Sequence, residues 1–312
     1  MGVDKVFEYK KLTANTGYFS GPVNAGLIET SAGLYLIDSG NDDDEGLALA
    51  KEIESVFPGK KLLAIINTHG HSDHSGGNAV LKKRFSSEIW TTECSSHIMQ
   101  IPIIVGSIYC GGMPCKKMAE SKLVGPKSPS TDRILLENQV IDLDEIRMEF
   151  IPLPGHFFDQ IGVYVTDKND SKNVFFLADG FFGKELLKKS WILFMTEPEN
   201  FRKSVESIQE VKADYYVPGH GSLVLPEEFK PLSELNIMIT LELEFIIRRI
   251  LSRKPLDFET LLKKVADETE IKLSPLQFFL ISTTLRSYLS SMESRGLVYY
   301  EVIDNRMIWH SA

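Results

Sequence analysis

The sequence predicts an α/β fold followed by a smaller, mostly helical C-terminal unit. Three observations predict it. Strand and helix signals alternate over about the first 230 residues, several of those strands end on polar, glycine-flanked motifs, and from about residue 232 long helical patterns take over. The 312 residues suit one large domain plus a small one, and the 43% hydrophobic content can fill a real core.

Taken in order, AGLIET and GLYLID read as consecutive strands joined by a turn at Ser31-Ala32-Gly33. DDDEGLALAKEIESVF begins with acids and carries Leu47, Ala50, Ile53, Val56 and Phe57 at helical spacing, which predicts a helix. KLLAIINT is nearly all apolar, the pattern of a strand covered on both faces, and SGGNAVLKKRF follows as a helix. RMEFIPLP, IGVYVT, NVFFLADG and ADYYVPGHG read as further strands, with ENFRKSVESIQEVK as the helix before the last. Residues 99–137 and 181–200 break this rhythm and are too irregular for plain connections, so they are read as lids or substrate loops.

SELNIMITLELEFIIRRILSR, DFETLLKKVADE and SPLQFFLISTTLRSYLSSMESRG then read as three helices. A hairpin turning at Asp304-Asn305 closes the chain. Helix, helix, helix and a two-stranded wing is the order of a winged-helix module, so residues 1–231 are assigned to a catalytic unit and 232–312 to a winged-helix-like one.

Composition narrows the partners. A formal net charge of −9 disfavours a general polyanion binder. No run reaches the length of a membrane span, and MGVDKVFEYK has no apolar signal core. Three sparse cysteines read as reduced thiols, and the expected compartment is the cytoplasm.

The chemistry concentrates in NTHGHSDHSGG, which holds three of the seven histidines and an aspartate. His69 and His71, two apart in extended chain, point to one side and can grip one cation. Asp73 and His74 follow as the chain turns into a helix and face a second position. Imidazole with carboxylate suits zinc, and also iron or manganese. Six residues cannot complete two coordination shells, and further candidates stand at other strand ends: His156 in PLPGHFFDQIG, Asp179 in FFLADG and His220 in VPGHG.

These motifs, with LIDSG ahead of them, resemble the metallo-β-lactamase superfamily over residues 20–225, in the same order. The resemblance implies an αββα sandwich. It also implies that His69, His71 and His156 hold a first divalent ion, that Asp73, His74 and His220 hold a second, that Asp179 bridges them, and that Asp38 orients a ligand histidine. Two ions about 3.5 Å apart would acidify a shared water. The bridging hydroxide would then attack a carbonyl or phosphorus centre, with Asp73 orienting it and shuttling its proton as the catalytic residue.

Where the family's branches differ, the main β-lactamases use a cysteine at the second site, and none of the three cysteines here lies in such a motif. The stretch ADGFFGKELLKKSW lacks the basic pattern of glyoxalase II, although Lys184, Lys188 and Lys189 are candidate contacts for a small anionic group. The expected function is a dinuclear hydrolase of a small-molecule ester or thioester. The alternatives are a phosphodiesterase or endoribonuclease acting on single-stranded nucleic acid, and a mono-iron enzyme like the persulfide dioxygenases. Residues 251–312 carry eight Lys or Arg against eight Asp or Glu, which argues against nucleic acid. The surplus apolar residues of 274–295 and the wing are expected to cover the metal cleft or to form a homodimer contact.

Overall fold

The computed structural model describes residues 6–189 and 192–312. A seven-stranded sheet takes its strands in sequence order: β1 (Glu8–Lys11), β2 (Thr16–Ser20), β3 (Ala25–Glu29), β4 (Leu34–Ile37), β5 (Leu62–Ile66), β6 (Glu88–Thr91) and β7 (Arg133–Ile134). The first four pair antiparallel and the rest parallel. Between β4 and β5 runs α1 (Asp43–Val56), and between β5 and β6 run α2 (Ser72–Ser75) and α3 (Asn78–Phe85). The Asp42 side chain caps α1 by accepting from the Glu45 amide, as its acidic start predicts. Of the expected stripe Ala50 and Ile53 are buried, joined by Gly46 and Leu49, while Leu47 and Val56 are exposed. Gly46 faces inward because α1 lies against Gly77 and Val80, where a side chain would collide.

Residues 99–137 are less irregular than their composition suggests. They are held by the end of α4 (Glu93–Gln100), by α5 (Ile103–Cys110) and by α6 (Lys116–Ala119). Ile98, Val105, Tyr109, Met118 and Val124 pack with Phe157 into a core of their own.

The second sheet holds β8 (Val140–Asp142), β9 (Ile146–Pro152), β10 (Ile161–Asp167), β11 (Lys172–Ala178) and β12 (Tyr215–Pro218), in the order β12-β11-β10-β9-β8. Between β11 and β12 stand α7 (Lys184–Lys189) and α8 (Pro198–Gln209). The sheets face each other across Ile28, Ile66, Met148, Phe150, Val163 and Phe176. α1 and α3 cover the outer face of the first sheet through Leu49, Ile53 and Leu81. α8 and α9 (Pro226–Arg253) cover the second through Ile208 and Phe229. This is an αββα sandwich.

The last part of the chain comprises the rest of α9, β13 (Leu256–Asp257), α10 (Phe258–Glu268), α11 (Pro275–Ser294), β14 (Val298–Ile303) and β15 (Arg306–Ser311). β15 pairs with both β13 and β14, making a three-stranded sheet beside the helices. Residue 231 lies inside α9, so no break in secondary structure marks the two assigned units. Their cores are continuous too: Phe201 and Val205 of α8 share one cluster with Ile247, Leu285, Tyr288 and Leu289. The buried Glu244 on α9 pairs with Arg202 of α8 at 2.8 Å and with Arg295, just beyond α11, at 2.6 Å. On the wing Trp309 is buried, while Tyr299 and Tyr300 stay nearly half exposed. No helix among the described residues is long and apolar enough to cross a membrane.

Candidate metal centre

Strand direction assembles the site. β4 and β5 run parallel, as do β11 and β12, and β9 runs the same way as β11 because both are antiparallel to β10. Their C-terminal ends therefore share one edge, where ligands gather in sheet proteins. Asp38 follows β4, His69 to His74 follow β5, His156 follows β9, Asp179 follows β11 and His220 follows β12. Two contacts lock the edges together: the Ile161 amide donates to the Thr68 carbonyl at 3.0 Å, and Asn24 Nδ2 donates to the carbonyls of Pro218 and Gly221 at 2.9 and 2.8 Å.

Three groups of side chains could hold a metal ion: His69, His71 and His156; His69, His74 and Asp179; and Asp73, His74 and His220. In the first, His71 Nδ1 lies 2.9 Å from His69 Nε2 and 3.0 Å from His156 Nε2. Burial, reinforced by the neighbouring imidazoles, pushes the His71 pKa down to about 3 and holds His69 well below the usual histidine range; burial also lowers His156. Three neutral rings thus aim lone pairs at one another. His156 Nδ1 donates to the Phe194 carbonyl at 2.9 Å, which fixes the tautomer that leaves Nε2 as the inward lone pair. The edges of Phe157 and Phe194 hold the His71 ring.

The other side of the site is carboxylate-rich. His74 Nδ1 meets Asp38 Oδ2 at 2.8 Å, and Asp38 also accepts from the Thr68 amide and hydroxyl. His220 Nδ1 donates to the Pro22 carbonyl at 3.0 Å and turns Nε2 toward Asp73 at 3.3 Å. Burial alone would lower both histidines. The carboxylates of Asp38, Asp179 and Asp73 outweigh it and hold His74 up at about 10, and Asp179 with Asp73 hold His220 up at about 12. Burial would raise the two carboxyls in turn, yet His74 and His220 hold Asp73 low, and His220, His74 and His156 do the same for Asp179.

Asp179 stands between the groups. Its Oδ1 is 3.5 Å from His74 Nε2, and its Oδ2 is 3.4 Å from His156 Nε2 and 3.5 Å from His220 Nε2. His74 Nε2 and Asp179 Oδ1, which face each other, are buried without a hydrogen-bond partner. Buried polar atoms normally find partners, so converging lone pairs left without them fit a bound cation. Gly219 leaves room for this arrangement, since a Cβ there would strike Asp179 Oδ1 and the His74 ring.

The structure thus brings all seven proposed ligands and Asp38 together. It does not bring Lys184 and Lys188 there. Lys184 and Lys188 line a separate groove of about 610 Å³ with Glu227 and Glu228, and the Lys189 side chain lies outside the described residues. The cleft over the ligands, about 140 Å³, is walled instead by Ser72, Tyr109, Leu123, Phe194 and Leu280. Single-residue motifs carry no signal for these five. Position in the chain pointed toward them: Ser72 lies inside the histidine motif, Tyr109, Leu123 and Phe194 fall within the two segments read as substrate loops, and Leu280 is among the apolar residues of 274–295 expected to cover the cleft.

The chain belongs to the metallo-beta-lactamase superfamily, whose family model matches residues 19–220. It is 39% identical over 221 residues, 66% of this chain and 71% of the relative, to metallo-beta-lactamase type 2 of Bacillus sp. (strain 170). It is 42% identical over 71 residues to metallo-beta-lactamase type 2 of Bacillus cereus, a match that spans 22% of this chain and 27% of that enzyme. Among solved structures, a beta-lactamase domain protein from Burkholderia ambifaria superposes with a TM-score of 0.76 at 14% identity, covering 98% of this chain and 95% of the other. Family membership, the αββα fold and the His/Asp cluster define a metal-dependent hydrolase that binds divalent metal.

Proposed function

We propose that the chain is a dinuclear hydrolase, most naturally loaded with zinc, that cleaves an ester or thioester of a small molecule. His69, His71 and His156 would hold one ion and Asp73, His74 and His220 the other, with Asp179 placed to serve both. The observation that carries this reading is the Asp179 carboxylate, with one oxygen turned to His74 and the other to His156 and His220.

When bound, the ions supply Lewis acidity and a water acidified toward neutral pH. Asp73, beside His220 and among the residues lining the cleft, is the carboxylate that would orient such a water and accept its proton. Asp38 holds the His74 ring in the tautomer that presents Nε2. Tyr109 stays protonated, because burial and the nearby Asp73 carboxylate both raise its phenol, so it faces the cleft as a donor. Phe194, Leu123 and Leu280 line the cleft with apolar surface.

A cleft of about 140 Å³ suits a compact scissile group. Residues 232–312 are read as a winged-helix-like module whose α11 closes that cleft through Leu280 rather than gripping nucleic acid. Three free cysteines agree with a reducing, cytoplasmic setting. Elemental analysis of protein purified without chelator should give close to two divalent ions per chain, and a panel of thioesters, esters, lactones and phosphodiesters should show turnover of the first two. A single iron per chain would move the assignment to the dioxygenase branch, and phosphodiester cleavage alone would move it to a nuclease.

A further inference from the structure

Beside the small metal cleft lies a groove of about 1010 Å³, walled by the end of α5, the start of α8 and one face of α11. Tyr109 lines both cavities. Its backbone carbonyl accepts from Thr283 Oγ1 at 3.2 Å, which ties α5 to α11 where the two cavities meet. The α11 wall is a stripe of hydroxyls: Ser282, Thr283, Ser287, Ser290, Ser291 and Ser294. Such spacing places them on one side of a helix.

Helical serines usually satisfy themselves on the carbonyl one turn back. Thr283 and Ser287 do so, donating to Phe279 and Thr283 at 3.0 and 3.1 Å. Ser282 does not. The residue is 8% exposed, and its hydroxyl has no hydrogen-bond partner, nor has that of Ser291. Buried hydroxyls left this way are costly unless something else meets them.

Both cations of the groove and two of its three carboxylates are already committed. Lys203 pairs with Glu199 at 2.8 Å, Arg286 stacks over the Phe258 ring at 3.6 Å, and Glu197 accepts from Asn200 at 2.7 Å. Two cations against the carboxylates of Glu197, Glu199 and Glu259 offer no purchase to a polyanion. Hydroxyls with partly apolar flanks match a neutral chain of amide or hydroxyl groups instead.

We propose that this groove binds the non-reacting part of the substrate, an elongated, uncharged tail bearing amide or hydroxyl groups, whose ester or thioester reaches the metal cleft past Tyr109. The inference rests on the hydrolase reading above and specifies its substrate class. Binding a remote tail orients the scissile bond and contributes to rate without touching the reacting atoms.

The test uses the metal-loaded full chain and acetyl thioesters of three thiols: ethanethiol, N-acetylcysteamine, and a longer thiol carrying two amides and a hydroxyl. A matched set places the same tails on the acyl side. In each case water cleaves the acyl–sulfur bond to give a carboxylic acid and a free thiol. In one of the two sets kcat/KM should rise at least about tenfold from the shortest to the longest tail. Ser290→Trp, at an exposed groove position, should bring that ratio close to one. Calorimetry with an unreactive thioether analogue of the longest compound should show binding that Ser290→Trp weakens about tenfold. Equal kcat/KM along both series, a ratio unchanged by Ser290→Trp, or no binding of the thioether overturns the proposal. Thioether binding without turnover of any thioester would keep the groove and remove the hydrolase reading.

Discussion

The two ligand groups of the site are built on opposite principles. His69, His71 and His156 are buried imidazoles held neutral, with His71 pushed down to about 3. His74 and His220, only a few ångströms away, are held up at about 10 and about 12 by the carboxylates around them. Burial dominates the first group and charge the second. One side is ready to accept a cation as it stands, while the other holds protons that a cation must displace. Two metals binding to one cluster should therefore differ in affinity, in pH dependence and in what they need from neighbouring residues.

The largest expected effect tests the premise shared by both groups. Removing metal with a chelator should abolish hydrolysis, and adding zinc should restore it, with titration of the stripped protein resolving two binding steps. A single step would erase the distinction. Next comes Asp73→Ala, which should lower kcat by at least about 10²-fold, the usual scale of general acid–base catalysis, with the first ion retained. Comparable turnover at full metal loading would remove Asp73 from that role.

Asp38→Asn separates the groups more finely. Asp38 has a φ of 62°, which asparagine tolerates, so the backbone should persist while the acceptor for His74 Nδ1 is weakened. The second ion should bind about 10–100-fold more weakly and the first nearly as before, as read by competition with a chromophoric chelator. A smaller effect is proton release. At pH 7 the second binding step should expel protons from His74 and His220 and the first almost none, measurable by calorimetry in buffers of different ionisation enthalpy.

The smallest effect is on the stability of the metal-free protein. His69, His71 and His156 bind protons more readily unfolded than folded, so stability falls as pH drops below their unfolded value of about 6.5. His74 and His220 bind protons more readily folded, so their contribution is present below about 6.5 and fades as pH rises toward about 10 for His74 and about 12 for His220. Melting temperature should peak near pH 6.5. A flat profile from pH 5 to 9 would show that the two groups do not oppose each other.

Much of this centre was legible because its residues sit at strand ends, where local sequence and tertiary position coincide. An apolar run such as LLAII followed at once by HGHSDH needs no long-range knowledge to place its histidines at a sheet edge. The αββα layering followed from the same motifs in order. The walls of the cleft were not legible in this way. Tyr109 and Leu280 meet over the metal site although 171 residues separate them, and only the packing of α11 against α5 joins them. Lys184 and Lys188 stand apart for the converse reason: they are close in sequence to Asp179, but α7 turns them toward α9. Short edge strands such as β7, β8 and β13 carry too few residues to show a period.

α9 has a consequence for how the molecule comes apart. Its 28 residues span roughly 42 Å of helix. Phe229 at one end stacks on Tyr216 beside the second sheet, and Ile247 and Leu251 near the other lie in the core shared with α11. Glu244 between them is gripped by arginines from both sides. A rod that runs on through Pro231 and is anchored on both sides of it couples the two units, so heating should melt the whole chain in one cooperative transition. A chain cut there would keep only the first turn and a half of that helix, and the metal cleft would lose Leu280 from its wall.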